Sequence, residues 1–268
     1  MDTPELALAE EAARAGGAVI LRYFREGIAM RSKDIANLVS DADIEAERAI
    51  VAVIRETFPG HEVLAEEVHR GDAGAEHLWI VDPLDGTNNF AHQIPHFAVS
   101  IAYYRAGRAE CGIIYNPARD EWHLAARGQG AYQDGRRVRA AEHTRLDEAL
   151  VGVGFPYDRG AMLEATLAAI GEFKRRQIHG IRRLGTASLD LAMVGMGLFG
   201  AYFEYALSPW DFAAGCLFVE EAGGRVTTGR GEPLPMASTS ILATNGPLHE
   251  AALEIVRAHH PDAPDRAR

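Results

Sequence analysis

Apolar residues recur at helical spacing along the first 26 residues and again after residue 41. The first pattern predicts a helix over residues 4–26, with apolar positions at Leu6, Ala9, Ala13, Gly17, Ile20, Leu21 and Phe24. The second predicts a helix from about Asp41 to Phe58, which Pro59-Gly60 ends. Between the two helices, the segment from Lys33 to Val39 is predicted to be a loop.

Shorter apolar runs bounded by turn residues predict the strands of the chain. In the first half, strands are predicted at residues 61–64, 78–81, 97–104, 109–115 and 121–126. In the second half, strands at 149–154, 201–205, 225–228 and 241–243 alternate with helices at 161–175, 188–197, 209–222 and 248–259. We therefore expect one domain over residues 1–268, with a largely antiparallel half (1–145), an alternating half (146–260) and a frayed tail (261–268).

Composition and charge restrict the classes of partner. A chain of 268 residues with 47% hydrophobic residues can bury a large core. No apolar run reaches the roughly 18 residues of a membrane span, and the start of the chain lacks a secretory signal, so we expect no membrane association. Cys111 and Cys216 lie in apolar surroundings without metal-type spacing, which favours free thiols and a cytoplasmic location. The formal net charge of −11 argues against nucleic acid as a partner. It does not exclude a phosphorylated small molecule, because bound cations reverse the sign of an acidic pocket.

The segment Asp82-Pro83-Leu84-Asp85-Gly86-Thr87 contains the first candidate chemistry. The apolar run from Leu78 to Val81 predicts a buried strand that ends at Asp82, because Pro83 removes a ladder donor. Two carboxylates at a rigid strand-to-turn corner suit an oxygen-ligated cation such as Mg²⁺. Gly86 lets the backbone approach a ligand, and the Thr87 hydroxyl can position a water. The same residues also suit an Asx turn, so the segment alone leaves both interpretations open.

Three further carboxylates are candidates with equally simple structural explanations. Glu66 follows a predicted strand, where it can also be a surface charge. Asp211 follows Ser208-Pro209, a sound helix start in which it can act as a capping-box carboxylate. Asp43 falls in the first turn of the second helix, where a carboxylate favours the helix dipole.

Together these segments resemble the motifs of the inositol monophosphatase family, a family of Mg²⁺-dependent, Li⁺-sensitive phosphatases. The resemblance rests on Glu66, on Asp82-Pro83-Leu84-Asp85-Gly86-Thr87-Asn88-Asn89-Phe90 and on Trp210-Asp211-Phe212-Ala213-Ala214-Gly215. Gly154-Phe155-Pro156-Tyr157-Asp158-Arg159 and Gly185-Thr186-Ala187-Ser188-Leu189-Asp190-Leu191 are similar to bacterial members. The resemblance covers about residues 5 to 255. It implies an α/β fold of the αβαβα five-layer sandwich type and a homodimer.

The resemblance also implies a role for each matched residue. Two to three Mg²⁺ ions are expected: one on Glu66, Asp82 and the Leu84 carbonyl, one on Asp82, Asp85 and Asp211, and a looser third on Glu66. Thr87, paired with Asp43, is expected to orient and deprotonate the attacking water. The backbone at Gly86 and Thr87 is expected to receive phosphate oxygens, and Glu204, the Ala187 backbone and Asp211 to contact the rest of the substrate.

Departures from the family pattern bear on the substrate. Ala65 stands where glycine is common in the family, a small change with little consequence. Ser208-Pro209 replaces the His-Cys pair of the animal enzymes, as in bacterial relatives, and this replacement weakens strict inositol specificity. Fructose-1,6-bisphosphate, histidinol phosphate, NADP and 3′-phosphoadenosine 5′-phosphate are therefore alternative substrates. A non-catalytic regulatory protein with the same fold is the alternative of another class. The complete set of expected ligands favours a phosphatase that acts on inositol monophosphate or a similar small ester.

Overall fold

The computed structural model of the chain describes residues 3–26, 31–34, 37–39 and 41–261. The helices in these ranges are α1 (Pro4–Glu26), α2 (Asp41–Thr57), α3 (Thr87–Ala91), α4 (Ala161–Arg175), α5 (Ala187–Gly195), α6 (Pro209–Glu221) and α7 (His249–Ala258), with a 3₁₀ turn at Leu146–Glu148. The strands are β1 (Arg31–Asp34), β2 (Asn37–Val39), β3 (Glu62–Ala65), β4 (His77–Asp85), β5 (Ala98–Arg105), β6 (Arg108–Asn116), β7 (Glu121–Ala126), β8 (Gly130–Gln133), β9 (Arg136–Val138), β10 (Leu150–Val153), β11 (Gly180–Arg182), β12 (Ala201–Leu207), β13 (Arg225–Thr227) and β14 (Thr239–Thr244).

The larger sheet contains seven strands in the order β3-β4-β5-β6-β7-β8-β9. Its strands are antiparallel to their neighbours except for the parallel pair β3 and β4. Because strand side chains alternate, Trp79 and Val81 of β4 pack in the cluster that contains residues of α1 and α2. Leu78 and Ile80 pack on the other face, in the cluster that contains residues of α5 and α6. Burial of both faces explains why the strand sequence is a continuous apolar run.

The smaller sheet contains five strands in the order β11-β10-β12-β14-β13. β10 runs parallel to β11 and β12, whereas β14 is antiparallel to both of its neighbours. Phe203 of β12 packs in the cluster that includes residues of α4 and α7. Its neighbour Tyr202 packs on the opposite face, among residues of α5 and α6. This sheet is therefore also covered by helices on both faces.

The layers are α1 with α2, the larger sheet, α5 with α6, the smaller sheet, and α4 with α7, which confirms the αβαβα sandwich. The middle layer lies close to the larger sheet because small residues meet there. A Cβ added at Gly112 of β6 would lie 3.0 Å from the Cα of Ala214 in α6. Within the middle layer, a Cβ at Gly215 would lie 2.6 Å from Leu191 of α5. These contacts fix how closely α6 approaches its neighbours.

The structure corrects two predictions of local structure. β4 does not end at Asp82 but continues through Pro83 to Asp85, because a register shift against β5 between Asp82 and Asp85 accommodates the proline. The predicted loop from Lys33 to Val39 instead contains parts of the antiparallel strands β1 and β2. The Lys33 side chain and the predicted tail from residue 262 onward lie outside the described residues.

The prediction of free thiols is confirmed, because Cys111 and Cys216 are both buried and form no disulfide. Burial raises the pKa of the Cys111 thiol to about 12 and also raises the pKa of Cys216. In the described part of the chain, no helix has the length and apolar character needed to cross a membrane.

Candidate active site

A cavity of about 400 Å³ lies where the two sheets and the middle helices meet. One wall comes from the end of β4 and the start of α3. The opposite wall comes from β12, the start of α6 and the segment after β10, with α5 between them. Every predicted site residue except Asp43 lines this cavity: Glu66, Asp82, Leu84, Asp85, Gly86, Thr87, Ala187, Glu204 and Asp211. Asp43 lies behind Thr87, to which it is hydrogen-bonded.

Asp82, Asp85 and Asp211 form the centre of the site. Each offers a carboxylate oxygen within 4.8 Å of the others, although Asp211 lies more than a hundred residues further along the chain. Asp82 and Asp85 are buried at the end of β4, and Asp211 lies in the first turn of α6. The register shift of β4 lets both carboxylates of this strand face the same cavity. The structure therefore brings together three of the carboxylates that the sequence predicts.

Among the contacts that the structure describes, no cationic side chain touches the carboxylates of this cluster. Burial, followed by the nearby carboxylates of Glu66, Asp85 and Asp211, raises the pKa of Asp82 well above its usual range. The pKa of Asp211 is raised by burial and by Asp85 and Glu66. Ionising several such groups together is unfavourable unless a cation neutralises them. A set of converging carboxylate oxygens fits a hard divalent cation such as Mg²⁺.

Asp85 is held by Ser188, which sequence reasoning did not select, and by Ala187, which it selected for contact with the substrate. The backbone N–H and hydroxyl of Ser188 donate to Asp85 Oδ2 at 2.7 and 2.6 Å. The Ala187 N–H lies 3.3 Å from Asp85 Oδ1. Burial raises the pKa of Asp85 to about 6, although these hydrogen bonds favour the ionised form. The first turn of α5 therefore fixes the orientation of Asp85, and the only sequence signal for it was the position of Ser188 within the family motif.

Asp211 caps α6 and also faces the other two carboxylates. Its Oδ2 accepts a hydrogen bond of 2.6 Å from the backbone N–H of Ser208, the N-cap of α6. The same carboxylate supplies an oxygen to the cluster with Asp82 and Asp85. The capping contact limits the rotation of the carboxylate, so it also positions the oxygen that faces the cavity.

Leu84 and Glu66 complete the acidic end of the cavity. The Leu84 backbone N–H donates to Asp82 Oδ1 at 3.0 Å, and the Leu84 carbonyl accepts from Thr87 Oγ1 at 3.1 Å. Glu66 follows β3, next to β4 in the sheet, and its backbone N–H donates to the Val81 carbonyl at 3.3 Å. This placement puts Glu66 near enough to Asp82 and Asp211 to raise the pKa of both carboxyls.

Thr87 and Asp43 meet beside the carboxylates. Thr87 Oγ1 lies 3.3 Å from Asp43 Oδ1 and can donate its hydrogen to that oxygen or to the Leu84 carbonyl. Asp43 is buried in the first turn of α2, so the structure supports more than a surface capping role.

Gly86 precedes Thr87 with φ of 92°. A Cβ at Gly86 would overlap with Thr186 Oγ1, so both the conformation and the space require glycine.

Glu204 occupies the opposite end of the cavity. It is buried on β12, and its Oε2 accepts a 2.7 Å hydrogen bond from the hydroxyl of Tyr202. Tyr202, Glu204 and Ala206 all line the cavity, because strand side chains alternate and these three share one face of β12. Burial raises the pKa of Glu204 to about 7, against the effects of the Tyr202 hydroxyl and the Arg183 charge. Gly154 lies against the Glu204 carboxylate, and neither Gly154 nor Tyr202 had been assigned a role from the sequence.

Comparison with known proteins agrees with this geometry. The family model described as "Inositol monophosphatase family" matches residues 1–260. The Nus factor SuhB of Pseudomonas aeruginosa is 40% identical over 265 residues, covering 96% of this chain and 97% of the relative. An inositol-1-monophosphatase of Rhizobium meliloti is 41% identical over 231 residues, covering 84% of this chain and 85% of the relative.

A solved structure shows the same fold. The inositol monophosphatase of Anabaena (Nostoc) sp. superposes with a TM-score of 0.85 and 38% identity, over 96% of this chain and 97% of the other. The matched family, the whole-length identity and the shared fold lead to one conclusion. This chain belongs to the inositol monophosphatase family.

Proposed function

We propose that the chain is a Mg²⁺-dependent phosphomonoesterase that hydrolyses inositol monophosphate or a similar small phosphorylated polyol. The proposal rests on one observation, the meeting of Asp82, Asp85 and Asp211 beside Thr87 in a single cavity. A phosphate monoester is anionic and would be repelled by these carboxylates without cations. The same carboxylates therefore suit phosphate chemistry only as ligands of metal ions.

The ligand assignment follows the family pattern. Glu66, Asp82 and the Leu84 carbonyl would hold one Mg²⁺, Asp82, Asp85 and Asp211 a second, and Glu66 a third. When bound, the ions supply charge neutralisation, activation of a water and stabilisation of the leaving oxygen. Ser188 and Ser208 hold two of these carboxylates in place, so little reorganisation is needed on binding.

Thr87 and Asp43 would orient the attacking water. When the Thr87 hydroxyl donates to Asp43 Oδ1 instead of the Leu84 carbonyl, a lone pair of Oγ1 remains to accept a hydrogen bond from the water. Asp43 Oδ1 is then the acceptor for the proton that leaves the water through Thr87. The backbone at Gly86 and Thr87 borders the same space and would receive phosphate oxygens.

Glu204 and Ala187 would contact the alcohol part of the substrate, with Asp211 beside them. The Tyr202 hydroxyl fixes one oxygen of Glu204, so the other can accept a hydrogen bond from a substrate hydroxyl. The Ala187 N–H already lies near Asp85 Oδ1, so a substrate oxygen there would share that donor. A buried carboxylate at this end favours polyol esters over apolar ones. A cytoplasmic homodimer is part of the same proposal.

A substrate panel at fixed Mg²⁺ tests the proposal. Phosphate release would be measured with inositol 1-phosphate, fructose-1,6-bisphosphate, histidinol phosphate, NADP and 3′-phosphoadenosine 5′-phosphate, and kcat/KM ranked. We expect the highest value with inositol 1-phosphate, inhibition by Li⁺ in the millimolar range, and no turnover by the Asp82→Asn variant. Full turnover in excess EDTA after exhaustive dialysis would rule out the metal-dependent mechanism.

A regulatory function is the second candidate, because relatives that match nearly the whole chain are named Nus factor SuhB. These names do not support the expectation, drawn from the net charge, that nucleic acid is absent from the partners. The panel separates the candidates. Absence of phosphate release from every ester, in protein that still binds Mg²⁺, would refute the phosphatase proposal and favour the regulatory one.

A further inference from the structure

Glu47 is a fully buried carboxylate of α2 that neither the motif nor the proposed reaction assigns. It accepts hydrogen bonds from three consecutive backbone N–H groups, those of Glu67 at 2.6 Å, Val68 at 2.9 Å and His69 at 2.9 Å. His69 Nδ1 also lies 2.7 Å from the same carboxylate. Four contacts to one buried side chain hold the segment that directly follows Glu66, which we call the 67–69 segment.

The position of Glu47 on α2 connects this segment with the water-orienting pair. Asp43 and Glu47 are four residues apart, so they lie on one face of the helix. Asp43 contacts Thr87, at the start of α3, whereas Glu47 contacts the 67–69 segment. One helix face therefore contacts both Thr87, which lines the cavity, and the segment that follows the cavity residue Glu66.

The other side of the segment is held to the sheet and to α6. The Ala65 N–H donates to the His69 carbonyl at 2.7 Å, so the chain folds back on the end of β3. Arg70 donates to the Ala65 carbonyl and places its guanidinium 5.3 Å from the centre of the Trp210 ring, next to Asp211. Glu66 is the residue between these anchored points, and its backbone cannot shift unless one of these contacts opens.

We infer that Glu47 is a positioning residue that fixes the Glu66 carboxylate for metal binding through the backbone of the 67–69 segment. This inference rests on the proposed function, because it requires Glu66 to be a metal ligand. A purely structural anchor would stabilise the fold without affecting the metal. The two roles differ in one measurable quantity, the metal affinity of the folded protein.

The test replaces Glu47 with glutamine, which keeps the shape but puts an NH₂ group against backbone donors. Mn²⁺ binding to the full chain would be measured by EPR, and the melting temperature in EDTA recorded alongside. We expect Glu47→Gln to weaken Mn²⁺ binding by about 10- to 100-fold, the usual effect of removing a group that orients a ligand. Unchanged Mn²⁺ affinity with a lowered melting temperature would overturn the inference and leave a structural anchor.

Glu45→Gln is the matched control, since it makes the same change two residues away on α2. Glu45 contacts Arg22 and Tyr23 at the surface and not the 67–69 segment. The Mn²⁺ affinity of the Glu45→Gln variant should therefore equal that of the unaltered chain. If Glu47→Gln fails to fold, His69→Ala removes one of the four donors and should give a smaller loss in the same direction. An unchanged affinity in His69→Ala would then count against the inference.

A double variant separates this inference from the proposed function. If Glu47 acts through Glu66, Glu66→Gln should weaken Mn²⁺ binding and Glu47→Gln should add no further loss in that background. Independent, additive losses would overturn the inference while the metal site stands. If Glu66→Gln alone leaves Mn²⁺ affinity unchanged, Glu66 is not a ligand, and the metal assignment of the proposed function fails first.

Discussion

Gly154→Ala tests whether the Glu204 end of the cavity reads the alcohol part of the substrate. A Cβ at Gly154 would overlap with Oε2 and Cδ of Glu204 and would lie 2.9 Å from Oε1. Ordinary contacts begin at about 3.5 Å, so the carboxylate must retreat by roughly 1.5–2 Å. Because Glu204 is buried, it cannot turn into solvent without moving its neighbours.

The size of the effect follows from the contact that breaks. A retreat of that size breaks the 2.7 Å hydrogen bond from Tyr202, whose side chain is completely buried. Hydrogen bonds to charged groups contribute about 1.5–3 kcal/mol, which for a chain of this size corresponds to a fall in Tm of roughly 3–5 °C. A substrate whose hydroxyl can no longer hydrogen-bond to this carboxylate loses a similar free energy of binding. This loss corresponds to about 10- to 100-fold in kcat/KM.

The assay compares kcat/KM for inositol 1-phosphate with kcat/KM for p-nitrophenyl phosphate, which carries no polyol hydroxyls. Gly154→Ala should lower the first by about 10- to 100-fold and the second only slightly. Gly60→Ala is the control, because a Cβ there would meet nothing within 4 Å. Equal losses on both esters, or no loss on either, would show that Glu204 does not contact the alcohol.

The remaining predictions concern the acidic end of the cavity. Thr87→Ala should lower kcat by about two to four orders of magnitude, because it removes the hydroxyl that orients the water and contacts Asp43. A near-normal kcat of this variant in a phosphate-release assay would show that another group activates the water. Asp211→Asn should keep the cap on Ser208, since asparagine can accept the same hydrogen bond, but should weaken Mg²⁺ binding and kcat on every substrate alike. An unaltered Mg²⁺ affinity, measured by titration calorimetry, would show that Asp211 caps the helix and does not bind the metal. In metal-free protein, the pKa of Asp85 is about 6, above its value of about 3.9 in an unfolded chain. The stability that its protonation supports is fully present below about pH 4 and is lost as the pH rises through about 6, so Tm in EDTA should fall across that window. Mg²⁺ should remove most of the fall, and a flat profile in EDTA would contradict the raised pKa of Asp85.

Local patterns predicted α1, α2, α4 and α7 because each of these helices buries one periodic apolar face. The helices α5 and α6 lie between the two sheets and are buried on nearly all sides. α1 and α4 begin and end where the sequence predicts, and α2 differs by one residue. The strands β1 and β2 were missed because their polar residues show no period-two apolar pattern. The end of β4 was misplaced because proline normally ends a ladder, whereas here a register shift tolerates Pro83.

The candidate site was predictable only as far as the family motifs reach. Nothing in the local sequence brings Asp211 to Asp85, since their contact depends on how α6 lies between the sheets. Ser188 and Glu47 escaped notice because a polar residue in a helix is usually exposed, and their partners are distant in the chain. Gly154 was part of a segment similar to bacterial family members, but nothing in the local sequence indicated that it lies against the Glu204 carboxylate.

The close contact between Gly112 and Ala214 also affects the distance between carboxylates in the cavity. Asp211 belongs to α6, whereas Asp82 belongs to the larger sheet, so the thickness of this contact sets the gap between negative charges at the cavity. A methyl group added at Gly112 would push the helix outward and widen that gap without changing any ligand. If these carboxylates bind metal ions as proposed, the sizes of remote, uncharged residues such as Gly112 and Ala214 would affect which ion fits between them, even where the ligands are identical.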